Sequence, residues 1–285
     1  MLRLTYRQTV LRNSFKSSFS HRIAMSFHTT NDQARAFKVL HIPGRPLVLA
    51  NVFDPTSAKL VASLPACKAL ATASAALSVV NGTDDPSLDL ETQLKAVSDI
   101  AAVARSFDKP LTVDLQDGYG EQLEEAITAM IGLGVAGVNL EDSDQKTLAV
   151  FDEDVAVKRV QRALAAAAKA GVPDFVVNAR SDTYLRGGSL DDAIRRGKLF
   201  LDAGATTVYI LNGKQPMTPE HIKKIVDSLQ GKVNIAVRVP KPDAPSELSS
   251  KDLADLGVAR ISIGPQLYHV GVNAMKMAAT KVLEI

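Results

Sequence analysis

Leu111-Thr-Val-Asp114-Leu-Gln116-Asp117-Gly118-Tyr119-Gly120 is an aliphatic run that stops abruptly in acids, an amide and glycines. Two later stretches repeat the pattern: Val138-Asn-Leu-Glu141-Asp142-Ser143 and Val176-Val-Asn178-Ala-Arg180-Ser-Asp182. Short runs of β-branched and aliphatic residues without strict polar alternation read as strands buried on both faces. Their last side chains then converge on one mouth. Acids at two such ends and an arginine at a third predict a site for a metal and a carboxylate-bearing substrate.

Outward from these stretches the chain alternates short apolar runs with longer amphipathic ones. Strands are expected at 47–53, 69–73, 111–115, 137–140, 175–179, 207–211, 234–239 and 260–263. Helices are expected between them, at 57–64, 88–107, 121–133, 154–170, 190–203, 219–229 and 247–256. Several helices end at a glycine, Gly134, Gly171, Gly204 and Gly257, where the left-handed turn after a helix favours that residue. Eight strands separated by helices in 285 residues predict a single (β/α)8 TIM barrel, for which about 250 residues is usual. A doubly wound open sheet is the rival. It would carry a glycine-rich turn after its first strand, and Asn51-Val-Phe-Asp54-Pro55 offers none. A short helix at 34–41 precedes the barrel and a helix at 266–283 ends the chain. The domain is expected to span 32–285.

Hydrophobic residues make up 46% of the chain, enough for a large core, and no apolar run has the ~18 residues of a membrane span. The lone Cys67 excludes an intramolecular disulfide and a multi-cysteine zinc site. The net charge of +2 conceals an asymmetry. Residues 1–31 hold five basic side chains (Arg3, Arg7, Arg12, Lys16, Arg22) and no acid. The remainder therefore carries 2 − 5 = −3, and it shows no basic cluster of the kind nucleic acid requires. A basic, serine-rich, acid-free leader resembles a mitochondrial transit segment more than a secretory signal. A start at Met25 would give a cytoplasmic form.

The ordered set of motifs is specific. Asp114-Leu-Gln-Asp-Gly-Tyr-Gly120 resembles the Asp-x-Asp-x-Gly-Tyr/Phe-Gly signature of the isocitrate lyase/phosphoenolpyruvate mutase superfamily. Ala71–Ser74, Gly82–Asp85, Val138–Asp142, Asn178–Asp182 and Gly257–Gly264 extend the resemblance over roughly residues 45–275. It implies a (β/α)8 barrel, a dimer or tetramer with exchanged C-terminal helices, and Mg2+-dependent making or breaking of C–C or P–C bonds beside a carbonyl. By resemblance Asp114 and Glu141 belong to the metal shell, and Asp85 stands near the reacting centre. Arg180 holds the substrate's carboxylate or phosphonate, with Ser74 and Asn178 also on the substrate side.

Elementary chemistry leads to the same cofactor. Mg2+ takes oxygen ligands, keeps several waters and needs only one or two protein carboxylates. Bound to a 2-oxo acid it stabilises a developing enolate. Simpler structural roles compete at each position. Asp85 reads equally as a turn residue before a helix, and Arg180 can pair internally with Glu141 or Asp182.

Two departures from the superfamily pattern matter. Gln116 stands where lyases carry a second acid, so its contact with the metal is expected through water. The Asp144–Asp152 segment has no counterpart of the lyases' Lys-Lys/Arg-x-Cys-Gly-His loop, which disfavours an isocitrate-type cleavage with a cysteine proton donor. The leading expectation is a lyase acting on a small 2-oxo or 2-hydroxy carboxylate. A phosphonopyruvate-type mutase or hydrolase and a non-catalytic metabolite-binding barrel are the alternatives.

Overall fold

A computed structural model describes residues 28–215, 217–239 and 248–284. Most of the predicted basic leader, and the Met25 start, lie outside these residues. Among the described residues nine parallel strands form one sheet: β1 (Leu47–Leu49), β2 (Asn51–Val52), β3 (Leu70–Thr72), β4 (Leu111–Asp114) and β5 (Val135–Glu141), then β6 (Val176–Ser181), β7 (Thr207–Ile210), β8 (Val233–Ala236) and β9 (Arg260–Ser262). β1 and β2 are two halves of one barrel strand, interrupted at Ala50. β1 pairs with β9 and β2 with β3, so the sheet closes as an eight-stranded α/β barrel of the expected kind. Asn51 fastens this seam at the strand ends. Its Nδ2 donates to the Thr72 carbonyl (2.7 Å), and its Oδ1 accepts from the backbone N–H of Ile263 (3.0 Å) and Gly264 (3.1 Å).

Ten α-helices accompany the strands among the described residues: α1 (Asn31–Lys38), α2 (Pro55–Ala62), α3 (Ser74–Val80), α4 (Leu90–Ser106), α5 (Leu123–Gly132), α6 (Glu153–Lys169), α7 (Leu190–Asp202), α8 (Pro219–Ser228), α9 (Ser250–Asp255) and α10 (Gln266–Leu283). Their starts carry side-chain caps that the sequence displays, such as Asp54, Asp89, Ser189, Thr218 and Ser249. α3 was not expected. Its small residues, Ser74-Ala-Ala-Leu-Ser-Val-Val, give too few large apolar positions for a helical period to stand out. None of the described helices is long and apolar enough to cross a membrane.

Two apolar clusters hold the barrel. The larger lies between the outer strand faces and the helices, with Val113, Val138, Val177 and Val208 fully buried in it. The smaller is inside the barrel at the N-terminal end of the strands, where Phe37 of α1 packs with Leu47, Leu49 and Val176. Gly137 permits this approach, since a Cβ there would lie 2.7 Å from that of Val176 and 3.1 Å from the Phe37 ring. The folded body begins before residue 32. Thr29 is buried, its hydroxyl donating to the Val135 carbonyl (2.9 Å), and Thr30 caps α1. At the other end α10 meets the barrel through Tyr268, edge-on to Phe53 at 5.3 Å, and none of its residues is buried.

His41, just after α1, has its Nδ1 within 3.2 Å of the Phe37 and Lys38 carbonyls, while Nε2 is sealed without a partner among the described residues. Burial, helped by the charge of Arg260, lowers its pKa from 6.5 to about 3. Between these values the unfolded chain binds a proton that the folded chain refuses, so stability falls as pH drops below 6.5. Each pH unit costs at most about 1.4 kcal/mol. In His41→Asn, which keeps an N–H donor, the stability lost between pH 6.5 and 4.5 in urea titrations is expected to shrink accordingly. An unchanged pH slope would show that His41 is not its source.

Candidate active site

At the C-terminal ends of the strands, where active sites of this architecture sit, the interior opens into a cavity of about 160 Å³. A dry cavity of ~150 Å³ accommodates benzene, so this one has room for a ligand of about six to nine non-hydrogen atoms. Ser74, Asp85, Asp114 and Arg180 line it, together with Asn139 and Arg260.

Asp114 ends β4 and is the best-held acid of the group. Its Oδ2 accepts from the backbone N–H (3.1 Å) and hydroxyl (3.0 Å) of Ser74, the first residue of α3. Its Oδ1 accepts from Asn139 Nδ2 at 2.9 Å. The Asn139 carbonyl oxygen in turn accepts from Asn178 Nδ2 (2.6 Å), whose own Oδ1 accepts from the Thr207 hydroxyl (2.6 Å). These four residues are register neighbours on β4, β5, β6 and β7, so their side chains share the inward face. The carboxylate can only accept, and that orients both amides in sequence. Asn178 was expected against the substrate. It is instead fully buried, outside the cavity lining, and acts on Asp114 through Asn139. Its position two residues before Arg180 on the strand puts it one layer deeper.

Asp85 lies in a single turn of 3-10 helix (Asp85–Ser87) and is gripped by Gln116. The amide of Gln116 donates to the Asp85 backbone carbonyl (2.6 Å) and to its Oδ1 (2.9 Å). Gln116 is buried and holds a left-handed backbone at φ +53°, a conformation with a steric cost that often marks functional positions. The glutamine thus works on Asp85 and is not among the cavity lining. Burial first, then repulsion from Asp114, raises the Asp85 pKa above the ordinary aspartate range. Asp117 turns away, its carboxylate accepting from the Tyr119 backbone N–H at 2.8 Å. The Tyr119 hydroxyl donates to Gln93 at 2.7 Å, and Gln93 donates to the Asp114 carbonyl at 2.7 Å.

Arg180 is heavily engaged. Its Nε and Nη2 donate to the two oxygens of Asp182 at 2.6 and 2.9 Å, and its Nη1 pairs with Glu141. Glu141 is buried, with its other oxygen on Gln145, and does not line the main cavity. The internal pairing of Arg180 with both acids is therefore realised, although the side chain still borders the cavity. Asp182 is fixed by the Ser143 hydroxyl at 2.6 Å, and its backbone N–H donates to Asp142, which pairs with Arg196 at 2.8 Å.

The segment after β5 is a closed turn. Ser143 bridges Val150, and Asp144 accepts from the backbone N–H of Lys146 (3.0 Å) and Thr147 (2.6 Å). Cys67 lies in the α2–β3 connection, at the end of the strands opposite the cavity. Among the described residues no group of three or more His, Cys, Asp or Glu side chains is arranged to hold a metal. The donor set nevertheless suits Mg2+, which needs one or two carboxylates and completes its shell with water and substrate oxygens. Asp114 and Asp85 border one cavity, and the Asp114 charge helps to hold the Asp85 carboxyl above the ordinary aspartate range.

Residues 37–283 match the family model described as phosphoenolpyruvate phosphomutase. The chain belongs to the phosphoenolpyruvate phosphomutase family. A protein of Mycobacterium tuberculosis without a described function is 30% identical to this family member over 249 residues, covering 87% of this chain and 88% of that one. Oxaloacetate decarboxylase of Paraburkholderia xenovorans is 30% identical over 243 residues, 80% of this chain and 75% of the relative. The crystal structure of 2,3-dimethylmalate lyase, a PEP mutase/isocitrate lyase superfamily member, matches with a TM-score of 0.77 at 24% identity, over 88% and 87% of the two chains, and shares the fold.

Asn139, Thr207 and Arg260 escaped the sequence reading. Asn139 was detectable in principle, since it alternates with Glu141 on one strand face. The Asp85–Asp114 coupling is open to direct measurement. Carbon-13 NMR is expected to show the Asp85 carboxyl titrating above the ordinary range, and Asp114→Asn to move it down part of the way, burial remaining. An Asp85 pKa indifferent to Asp114→Asn would show that the two acids do not share one field.

Proposed function

We propose that this protein is a Mg2+-dependent enzyme that cleaves or forms a C–C bond beside the carbonyl of a small 2-oxo or 2-hydroxy carboxylate, by way of an enolate. The observation that carries the reading is the rigidly held Asp114, which lines with Asp85 a cavity of a few carbon atoms' capacity. Asp114 would hold the ion, with Asp85 close by, and the ion's chemistry would be to withdraw charge from the enolate oxygen. Ser74 ties α3 to Asp114 and so fixes the wall against which a planar acid would lie. Gln116 holds Asp85 beside the reacting centre, where a carboxyl of raised pKa is placed to give or take a proton. Glu141 keeps the Arg180 guanidinium at the cavity edge, and its contact with the ion would run through water.

The closed turn after β5 and the remote Cys67 support a reaction without a cysteine proton donor. The same absence suits P–C chemistry, but Thr147, the one hydroxyl of the 144–152 segment, is exposed and spent on Asp144 (2.9 Å), which favours the C–C reading.

We infer also that the protein assembles with itself. Val270, Met275, Met277 and Val282 of α10 are exposed at 51 to 68%, more apolar surface on one helix than a free end comfortably shows water. Removal of 266–285 is expected to lower the mass found by light scattering, and an unchanged mass would exclude α10 from the assembly.

The functional reading is tested by turnover of oxaloacetate, 2-hydroxy dicarboxylates and phosphonopyruvate with Mg2+ or with EDTA. Metal-dependent C–C cleavage is expected, with Asp114→Ala reducing it at least ~100-fold, on the scale of a lost transition-state contact. Phosphate release from phosphonopyruvate alone would establish P–C chemistry instead. Activity unaffected by EDTA and by Asp114→Ala would remove the metal assignment.

A further inference from the structure

Arg260 is the cation that the site does not use. It starts β9 beside Asn234 of β8, is 3% exposed and borders the cavity. Its Nε and Nη1 are buried without a hydrogen-bond partner among the described residues. Two neighbours in the lining share this state, the Thr112 hydroxyl and the Asn234 Oδ1. Buried polar groups are almost always satisfied, and each exception calls for an account. A guanidinium is the costliest such exception, because its charge cannot be shed as a lysine's can. Burial lowers its pKa to about 10, against the pull of Asp114, which still leaves it charged at neutral pH.

The contrast with Arg180 decides what this cation is for. Arg180 spends Nε, Nη1 and Nη2 on Asp182 and Glu141, whereas Arg260 borders the same cavity with no carboxylate on its Nε or Nη1 among the described residues. We propose that Arg260 receives a second carboxylate of the substrate, so that the enzyme's substrates are small dicarboxylates. One end would lie at Asp114 and Ser74 and the distal acid at Arg260, with the Thr112 hydroxyl free to donate to it. The assignment rests on the reading of this cavity as a 2-oxo or 2-hydroxy carboxylate site and names the substrate class within it. Shape and charge agree: the cavity takes about six to nine non-hydrogen atoms, the size of a three- or four-carbon diacid. A planar guanidinium is well matched to a carboxylate.

The test uses a matched pair of probes, with product formation monitored alongside. Malate and lactate differ only in the distal carboxylate, and oxalate reports the metal-binding end alone. Affinities are measured by calorimetry on the full chain with and without Mg2+, for wild type, Arg260→Met and Arg260→Gln. Wild type is expected to favour malate over lactate by at least about 10-fold, the scale of one charge-assisted hydrogen bond. Both variants should erase that preference and leave oxalate and lactate within about threefold. Without ligand, Arg260→Met should melt no lower than wild type, because it removes an uncompensated buried charge.

A malate preference that survives either substitution would overturn the proposal, as would its absence from wild type. A parallel loss of all three ligands, or a large fall in the ligand-free melting temperature of both variants, would make Arg260 a structural residue. Oxalate binding indifferent to Mg2+ would sink the metal reading of the site, yet the malate–lactate comparison would still decide the role of Arg260.

Discussion

The chain of hydrogen bonds from Thr207 through Asn178 and Asn139 to Asp114 is the constraint on which the site depends. It crosses four adjacent strands at one level of the barrel. The interior of such a barrel is ordinarily filled with layers of branched apolar residues. Here that filling is confined to the lower cluster around Phe37, Leu47 and Val176, and the levels above it are polar. Polar side chains inside a barrel are tolerable when each is satisfied, and in this chain each donor meets an acceptor until the carboxylate ends it. The acid is thereby fixed by the barrel itself, independently of any loop.

A second network fixes the positive side of the mouth. Glu141 and Asp182 hold Arg180, Ser143 and Asp142 hold Asp182, and Arg196 pairs with Asp142. Breaking one member of a buried ionic cluster strands the charge of another, so these residues keep one geometry before any ligand arrives. Arg260 stands outside both networks. The molecule therefore combines an acid and an arginine that are positioned in advance with a buried cation at the cavity wall that no acid of the described residues pairs.

The barrel was legible because strand and helix signals repeat eight times. Where one repeat was weak the others settled the architecture, and the strands at 111–114, 176–181 and 207–210 end within two residues of their expected limits. Helix α3 was missed because alanine and serine carry almost no amphipathic signal, although its first residue, Ser74, makes the principal contact of Asp114. Ser74, Asp114 and Arg180, from strand ends, and Asp85, from the loop after the second expected strand, do meet in one cavity. Asn178, Gln116 and Glu141 are one contact removed, on Asn139, Asp85 and Arg180 respectively. A strand's alternation reveals which face a residue shares. It does not reveal the depth at which its side chain stops.

By itself the sequence determined the order of elements, the barrel and the end of the barrel at which the chemistry collects, because these follow from local periodicity and from the polar residues that terminate each apolar run. Only the tertiary structure decided which charges are already paired. Arg180 and Arg260 look alike in the sequence, each an arginine on an apolar strand. Strand pairing sets Glu141 on the first, beside its chain neighbour Asp182, and leaves the second without an acid on its inner donors. Pairing depends on distance across strands that are remote in the chain, and that distance exists only once the barrel is closed.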